Sequence, residues 1–548
     1  MEVMRTSAAM LRAALVGLVL VSAVAFAKPP KLTLFVSVDS LGTDVMERNR
    51  HRFKFGFARL FNEGAVYPTA RYEQVETVTC IGHTTLTTGA WPHRHGVIGN
   101  RAFNRTTGKL EPCFADASHP VLEAPPGNED VSPQNLLAET ISDKLRQATQ
   151  LRGKSVAIGG KGRSAVAMAG RLGDAWWFHE QVGKFVTGTW YRKEFPTWVK
   201  AFNDKKLPDG YHGKSWELLS PQKDYFGEDE RPFESDAYGM AKVFPHPLSG
   251  GLPSPGPASY SALASSPMMN EVMVEFAKAS IDGEQLGKDD VPDLLSVSFS
   301  ALDRTFHLYG PTSWEMQDAL ARLDKSLGDL IAAAEKAAGG KQNLLIVLSA
   351  DHGGANIPEE WASIGLDGVR LSPVNVQKTL NDELEKKFGV KDLVLAIEEV
   401  DVYLDWKAIE TKKLDVAAVR RFAAGVIQRQ GDFQTAISRD DVGQLDPAGL
   451  GKHFANSFHP ERSGDVLMVV KPFHLCEIEK AGTGHGSPWS YDAEVPIMMM
   501  GKGIKPGVYP QPVHPIDIAP TMSAVLEMGA PASSEGVALN DALALPKQ

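Results

Sequence analysis

The chain has little cysteine. Its 548 residues include three, Cys80, Cys113 and Cys476. That is too few for a scaffold built on disulfides, and none shows the C-x-x-C spacing of a structural zinc site. Three cannot all pair; an oxidising compartment would allow a Cys80–Cys113 bridge. There is no excess of positive charge either. The 57 Lys and Arg stand against 67 Asp and Glu, a net of -10, which argues against a nucleic-acid-binding surface. A local site for a small anion stays compatible with that balance. Beyond residue 27 no uninterrupted apolar run approaches the length of a membrane span. Internal repeats and low-complexity tracts are absent from the sequence as well, so neither a solenoid nor a disordered chain is expected.

What is present begins with a leader pattern. Arg5 and Arg12 precede an apolar run from Ala13 to Val24, and Ala25-Phe26-Ala27 has small residues at the cleavage positions. Residues 1–27 therefore read as a secretory signal peptide cleaved after Ala27, and 28–548 as an exported, periplasmic or secreted protein without stable membrane insertion. No Cys follows the cleavage point, which disfavours a lipoprotein anchor. The length allows a large core and more than one lobe.

Several segments read as strands buried on both faces, each followed by polar residues. Leu32–Val38 runs into Asp39, and Ser155–Gly159 into Gly160-Lys161-Gly162-Arg163. Asp293–Phe299 precedes Asp303 and His307, and Asn343–Ala350 precedes Asp351-His352. Helices are expected over 55–62, 133–150, 268–281, 315–338 and 517–526. This strand-then-helix order predicts an α/β sandwich with a central, mostly parallel sheet flanked by helices. In such sheets ligands bind at the carboxyl ends of the strands. Two stretches interrupt the pattern and read as inserted cap segments, at about 174–292 and 355–472. The first is aromatic and then dense in Pro, Gly and Ser. The second carries helices near 376–388 and 416–428 and strands near 393–403 and 465–471.

The chemistry-bearing stretch is Glu76-Thr77-Val78-Thr79-Cys80-Ile81-Gly82-His83, with Thr79 just before a run able to open a helix. A helix start offers backbone N–H groups and a positive dipole end to an anion. Around it stand Asp39, Asp303, His307, Asp351, His352 and His485. Asp303 and His307 are four apart, one face of a helical turn. Mixed His and carboxylate donors suit Zn²⁺, and six of them divide into two sets of three, each leaving the open position a catalytic ion needs. Taken singly each piece has an ordinary reading. Thr79 can be a helix cap, Asp39 a turn residue before Gly42, and Lys161-Gly162-Arg163 a solvated turn. Cys80 is a second candidate nucleophile.

The ordered set Asp39, Thr77-Val78-Thr79, Asp303-x-x-x-His307, Asp351-His352-Gly353 and Gly484-His485-Gly486 resembles the alkaline phosphatase superfamily. It is most similar to the phosphate-irrepressible alkaline phosphatases, which use a threonine nucleophile. The resemblance implies two Zn²⁺ per chain, one taking Asp303, His307 and His485, the other Asp39, Asp351, His352 and Thr79. It implies that Asn100, Lys161 and Arg163 bind the phosphoryl oxygens of small phosphorylated substrates. Sulfatases of the superfamily need C-x-P-x-R, and Cys80-Ile81-Gly82-His83 does not match, which ranks Cys80 below Thr79. Nucleotide pyrophosphatase/phosphodiesterases as a class lack the K-x-R pair. The expected activity is hydrolysis of phosphate monoesters through a phosphothreonine. The alternatives are a phosphodiesterase of the same superfamily and a non-catalytic periplasmic metal- or phosphate-binding protein.

Overall fold

The computed structural model describes residues 28–125, 127 and 130–544. The expected signal segment 1–27 lies outside the described residues. A nine-stranded sheet runs through the molecule. In spatial order its strands are Gly507–Val508, Ala65–Arg71, Glu494–Gly501, Leu344–Ser349, Leu32–Val38, Asp293–Phe299, Ser155–Gly159, Asp174–His179 and Lys184–Val186. The five from Leu344–Ser349 to Asp174–His179 are parallel, and Glu494–Gly501 and Lys184–Val186 run antiparallel beside them. Leu32–Val38 is buried along its whole length, which is why it reads as a continuous apolar run rather than an alternating one.

Helices cover the sheet. Gly56–Glu63, Met268–Gly283 and Trp314–Ala338 pack together as one set. Thr79–Thr88, Ile141–Ala148, Gly162–Ala169 and Ile518–Val525 form another. The single helix expected over 133–150 is instead a 3₁₀ turn, Pro133–Asn135, and an α-helix, Ile141–Ala148. Thr140 and Asp143 form a reciprocal capping box at that start, which satisfies two backbone N–H groups and outweighs the Ser132-Pro133 signal.

The first interruption does not begin at 174. Asp174–His179 and Lys184–Val186 extend the central sheet, with Trp176 and Trp177 fully buried. Trp176 packs against Phe195, Trp198 and Phe276, and Phe185 stacks on Phe276 at 3.9 Å between centroids. These aromatics are core of the main sheet, not of a cap. From 355 to 472 the chain builds a lobe with its own antiparallel sheet, ordered Val394–Glu398, Asp401–Leu404, Val466–Val470, Phe433–Ser438. Pro373–Phe388 and Val416–Arg429 close a separate core over it, through Val376, Leu380, Val419 and Ile427. The single strand expected over 393–403 is a hairpin, reversed at Glu399 with a φ of +52°.

Cys80 and Cys113 are joined. The bridge ties the first turn of Thr79–Thr88 to the end of a hairpin formed by Arg101–Asn104 and Lys109–Pro112. Opening a closure of 33 residues by replacing both cysteines with serine is expected to lower stability by about 3–4 kcal/mol. The check is the urea midpoint against the oxidised wild type. An unchanged midpoint would mean that the packing of the hairpin alone holds it in place.

Candidate metal centre

The carboxyl ends of the parallel strands deliver their residues to one buried place. Asp39 follows Leu32–Val38 and Asp351 follows Leu344–Ser349. Asp303 and His307 lie on the helix Ala301–Tyr309 after Asp293–Phe299, and Lys161 caps Gly162–Ala169 after Ser155–Gly159. Asp39, Asp351, His352 and Thr79 are fully buried, and Asp303 is 1% exposed. His485 arrives on a separate loop and stacks on His352 at 3.6 Å between ring centroids.

Two donor groups result, each with its donor atoms mutually close. One is Asp39, Asp351 and His352; the other is Asp303, His352 and His485. His352 Nε2 lies 3.4 Å from Asp39 Oδ1 and 3.3 Å from Asp351 Oδ2. His307 Nε2 and His485 Nε2 approach the same oxygen, Asp303 Oδ1, at 3.4 and 3.5 Å. His307 is thus at the second group's edge, with its side chain 39% exposed. The expected division into two independent sets is modified in two respects: His352 stands between them and belongs to both clusters, and His307 lies at the edge of the second rather than within its close donor group.

A cation fits this place on physical grounds. Asp39 Oδ1 and His352 Nε2 are buried and have no hydrogen-bond partner, which is unfavourable for polar atoms unless a partner such as a cation joins them. Burial first, then the charges of Asp303 and Asp351, push Asp39 up to about 6 in spite of Lys161 and His352. Burial would raise Asp303 too, but Lys161, His307 and His485 hold it well below the usual range. His352 moves upward because Asp351, Asp39 and Asp303 outweigh its burial. His485 moves well down through burial and the neighbouring His352. Donor type and count match a divalent ion such as zinc.

Thr79 is the first residue of the helix Thr79–Thr88. Lys161 Nζ lies 3.3 Å from its Oγ1, 2.7 Å from Asp39 Oδ2 and 2.5 Å from Asp303 Oδ2. One ammonium therefore touches the hydroxyl and both carboxylate clusters. Asn100 Oδ1 accepts from Cys80 N–H at 3.1 Å, so the side chain caps the helix that begins at Thr79. Arg163 is partly exposed, its Nε has no hydrogen-bond partner, and it lines the cavities on either side of His307.

Three further residues matter that sequence reasoning missed. His83 is fully buried one turn beyond Thr79. Its Nδ1 is 2.9 Å from Thr79 O and 3.1 Å from Asp351 Oδ2, and its Nε2 meets Ser298 Oγ at 2.8 Å. The i, i+4 spacing from Thr79 was the available signal. Ser40, in the left-handed region at φ +63°, donates from Oγ to Asp303 Oδ1 at 2.6 Å and from N–H to Asp351 Oδ1 at 3.3 Å. Glu399, at the tip of the lobe's hairpin, reaches Asn100 N at 3.4 Å and Asn100 Nδ2 at 3.5 Å. Nothing in the sequence links positions 299 residues apart.

Gly82 fixes how closely the Thr79 helix approaches Asp351. A Cβ there would lie 2.1 Å from Asp351 O and 2.6 Å from Asp351 Cβ. Gly82→Ala is expected to push the helix off that loop and weaken divalent-ion binding about 10- to 100-fold. Chelator competition on protein with an unchanged circular dichroism spectrum measures it, and wild-type affinity would refute the packing argument.

The chain is similar to known proteins along most of its length. Residues 33–477 match the family described as type I phosphodiesterase / nucleotide pyrophosphatase. The chain is 32% identical over 523 residues to alkaline phosphatase PafA of Elizabethkingia meningoseptica, covering 94% of each protein. It is 32% identical to a Myroides odoratus protein named calcium-transporting ATPase, covering 94% of this chain and 95% of that one. It is also 32% identical to alkaline phosphatase PhoV of Synechococcus elongatus, covering 94% and 93%. The crystal structure of wild-type PafA superimposes with a TM-score of 0.90 at 31% identity, covering 94% of this chain and 99% of that one. With a family match over most of its length and full-length relatives at this identity, the chain belongs to the type I phosphodiesterase / nucleotide pyrophosphatase family of the alkaline phosphatase superfamily.

Proposed function

We propose that this protein is an exported, metal-dependent alkaline phosphatase that hydrolyses phosphate monoesters through a phosphothreonine on Thr79. The observation that carries the reading is the position of the Thr79 hydroxyl. It is buried at the start of a helix, beside two acid–histidine clusters, with Lys161 Nζ 3.3 Å away. The curated relatives named alkaline phosphatase, matched along their full length, support the same class of reaction.

Two zinc ions are proposed, one on Asp39, Asp351, His352 and Thr79, the other on Asp303, His307 and His485. When bound, such ions lower the pKa of a hydroxyl on one side and stabilise a departing oxygen on the other. The chain's own groups do the rest. Thr79 Oγ1, its proton given up to solvent, forms a bond to phosphorus while the bond to the alcohol oxygen breaks on the opposite side, and the departing alkoxide takes a proton from water. Water then cleaves the phosphothreonine from the side the alcohol has left, regenerating Thr79 and releasing phosphate. Asn100 Nδ2, Lys161 Nζ and Arg163 hold the phosphoryl oxygens. Arg163 suits that task because its planar fork can grip two oxygens at once. His83 fixes Asp351 and the Thr79 helix relative to each other.

Lys161 and Arg163 favour monoesters over diesters. A monoester dianion presents one more negative charge, and two cations placed at its oxygens return more transition-state stabilisation. The phosphodiesterase reading rests on the family description and predicts no such cation bias. A non-catalytic binding protein would have no use for a hydroxyl held between the acid clusters.

Three outcomes follow. Thr79→Ala is expected to lower kcat/KM for an aryl phosphate by about 10³-fold or more. Lys161→Ala and Arg163→Ala are expected to cost about 10- to 10²-fold on the monoester and clearly less on its methyl diester. Equal losses on both esters would remove the monoester assignment. Purified active protein should carry about two zinc ions per chain, lose activity on chelation and regain it with zinc. Full activity in chelated, metal-free protein would remove the metal assignment.

A further inference from the structure

A cavity of about 350 Å³ opens beside Asn100 and Arg163. It bears on the site through His307 and His485, which line it. In an in-line displacement the alcohol leaves on the side away from the attacking hydroxyl. Under the phosphomonoesterase reading, on which this inference rests, that side is the Asp303, His307 and His485 cluster. The cavity adjoins that cluster on its His485 side, and a second of about 450 Å³, lined by Asp303 and Lys161, adjoins it on the other side of His307.

The walls of the first cavity have a definite chemistry, and most of them come from the 355–472 lobe and the chain just after it. Val400, Met468 and Leu475, with Val75 and Val78 from the main body, give apolar surface. Glu398, Glu399, Glu477 and Glu479 add four carboxyl groups. Asp492 adds another: it is 1% exposed, lines the same cavity, and its Oδ1 has no hydrogen-bond partner. Against these, Arg163 is the one Lys or Arg among the described lining residues, and it is committed to the phosphoryl group. Glu398 has only a loose partner in Arg101, at 3.9 Å, on a half-exposed side chain. Five acids around an apolar floor do not assist binding of a dianionic phosphate. They act on whatever is attached to it.

We propose that this cavity is a leaving-group subsite supplied largely by the inserted lobe, and that it selects phosphate monoesters whose alcohol is cationic or neutral with apolar surface, against esters whose alcohol carries further negative charge. A quaternary-ammonium or amino alcohol fits both the carboxylates and the aliphatic floor. The attached phosphates of a nucleoside di- or triphosphate, or a carboxylate on the alcohol, meet like charge at short range in a partly desolvated space.

The test uses zinc-loaded full-length mature protein and three phenyl phosphates, substituted at the meta position with trimethylammonium, hydrogen or carboxylate. kcat/KM is measured at about pH 9, because burial pushes Glu398, Glu477 and Asp492 up to about 7. The reading is the ratio of cationic to anionic ester, compared between wild type and the double variant Glu398→Gln/Glu479→Gln. Intrinsic reactivity cancels in that comparison. The ratio is expected to fall about tenfold in the variant, mainly through KM, and the wild-type ratio is expected to narrow as salt is raised. A ratio that neither the variant nor salt moves overturns the subsite while leaving the phosphatase reading intact. Failure of wild type to cleave all three esters overturns the phosphatase reading itself, and the subsite with it.

Discussion

Three carboxylates held in one water-poor space are the constraint from which the site follows. Asp39, Asp303 and Asp351 are 0–1% exposed and close enough that each raises or is raised by another. Burying like charges together is unfavourable by several kcal/mol unless positive charge joins them. Lys161 supplies one such charge, and the unpartnered atoms Asp39 Oδ1 and His352 Nε2 mark where more is called for. A lone ammonium cannot serve two carboxylate clusters and also leave a hydroxyl reactive. Divalent cations would offset the rest, and the imidazoles of His352, His307 and His485 are neutral donors placed to hold them without adding negative charge.

The sheet makes this concentration of charge affordable in structural terms. Parallel strands that are apolar on both faces end together, so the first polar residue after each falls at one edge. Asp39, Lys161, Asp303 and Asp351 reach that edge from strands adjacent in the order Leu344–Ser349, Leu32–Val38, Asp293–Phe299, Ser155–Gly159. The Thr79–Thr88 helix is then brought against Asp351 at Gly82, where only a hydrogen fits. His83 and Ser40 complete the support, each binding a carboxylate and a second element. The main body carries Thr79, Lys161 and Arg163, while the lobe contributes Glu399 behind Asn100 and part of the wall of the cavity beside it.

Much of the fold and of the candidate site is legible in the sequence, for a physical reason. A strand buried on both faces is mostly apolar and carries few charges, so a charged residue just past its end stands out, as Asp39, Asp351 and the Lys161–Arg163 pair do. What depended on folding at a distance was not legible. Glu399 acts only because a hairpin from the lobe docks on Asn100. His83 had a helical spacing from Thr79, but a buried histidine one turn along a helix has many ordinary explanations. The resemblance places His352 in one set only, and its stacking on His485, which brings it to both, is not visible in sequence. The start of the first insertion was misplaced at 174 because Trp176-Trp177-Phe178 precedes a Pro- and Gly-rich stretch. An aromatic edge strand and an aromatic cap have the same composition, and only pairing with Ser155–Gly159 distinguishes them.

The central claim is that divalent cations flank the Thr79 oxygen and offset the buried acids. Anomalous diffraction at the zinc edge, from crystals of active protein, tests it most directly. The account predicts two peaks, one among Asp39, Asp351 and His352 within bonding reach of Thr79 Oγ1, and one among Asp303, His485 and His307. Crystals of fully active enzyme with no anomalous peak beside that oxygen would contradict it.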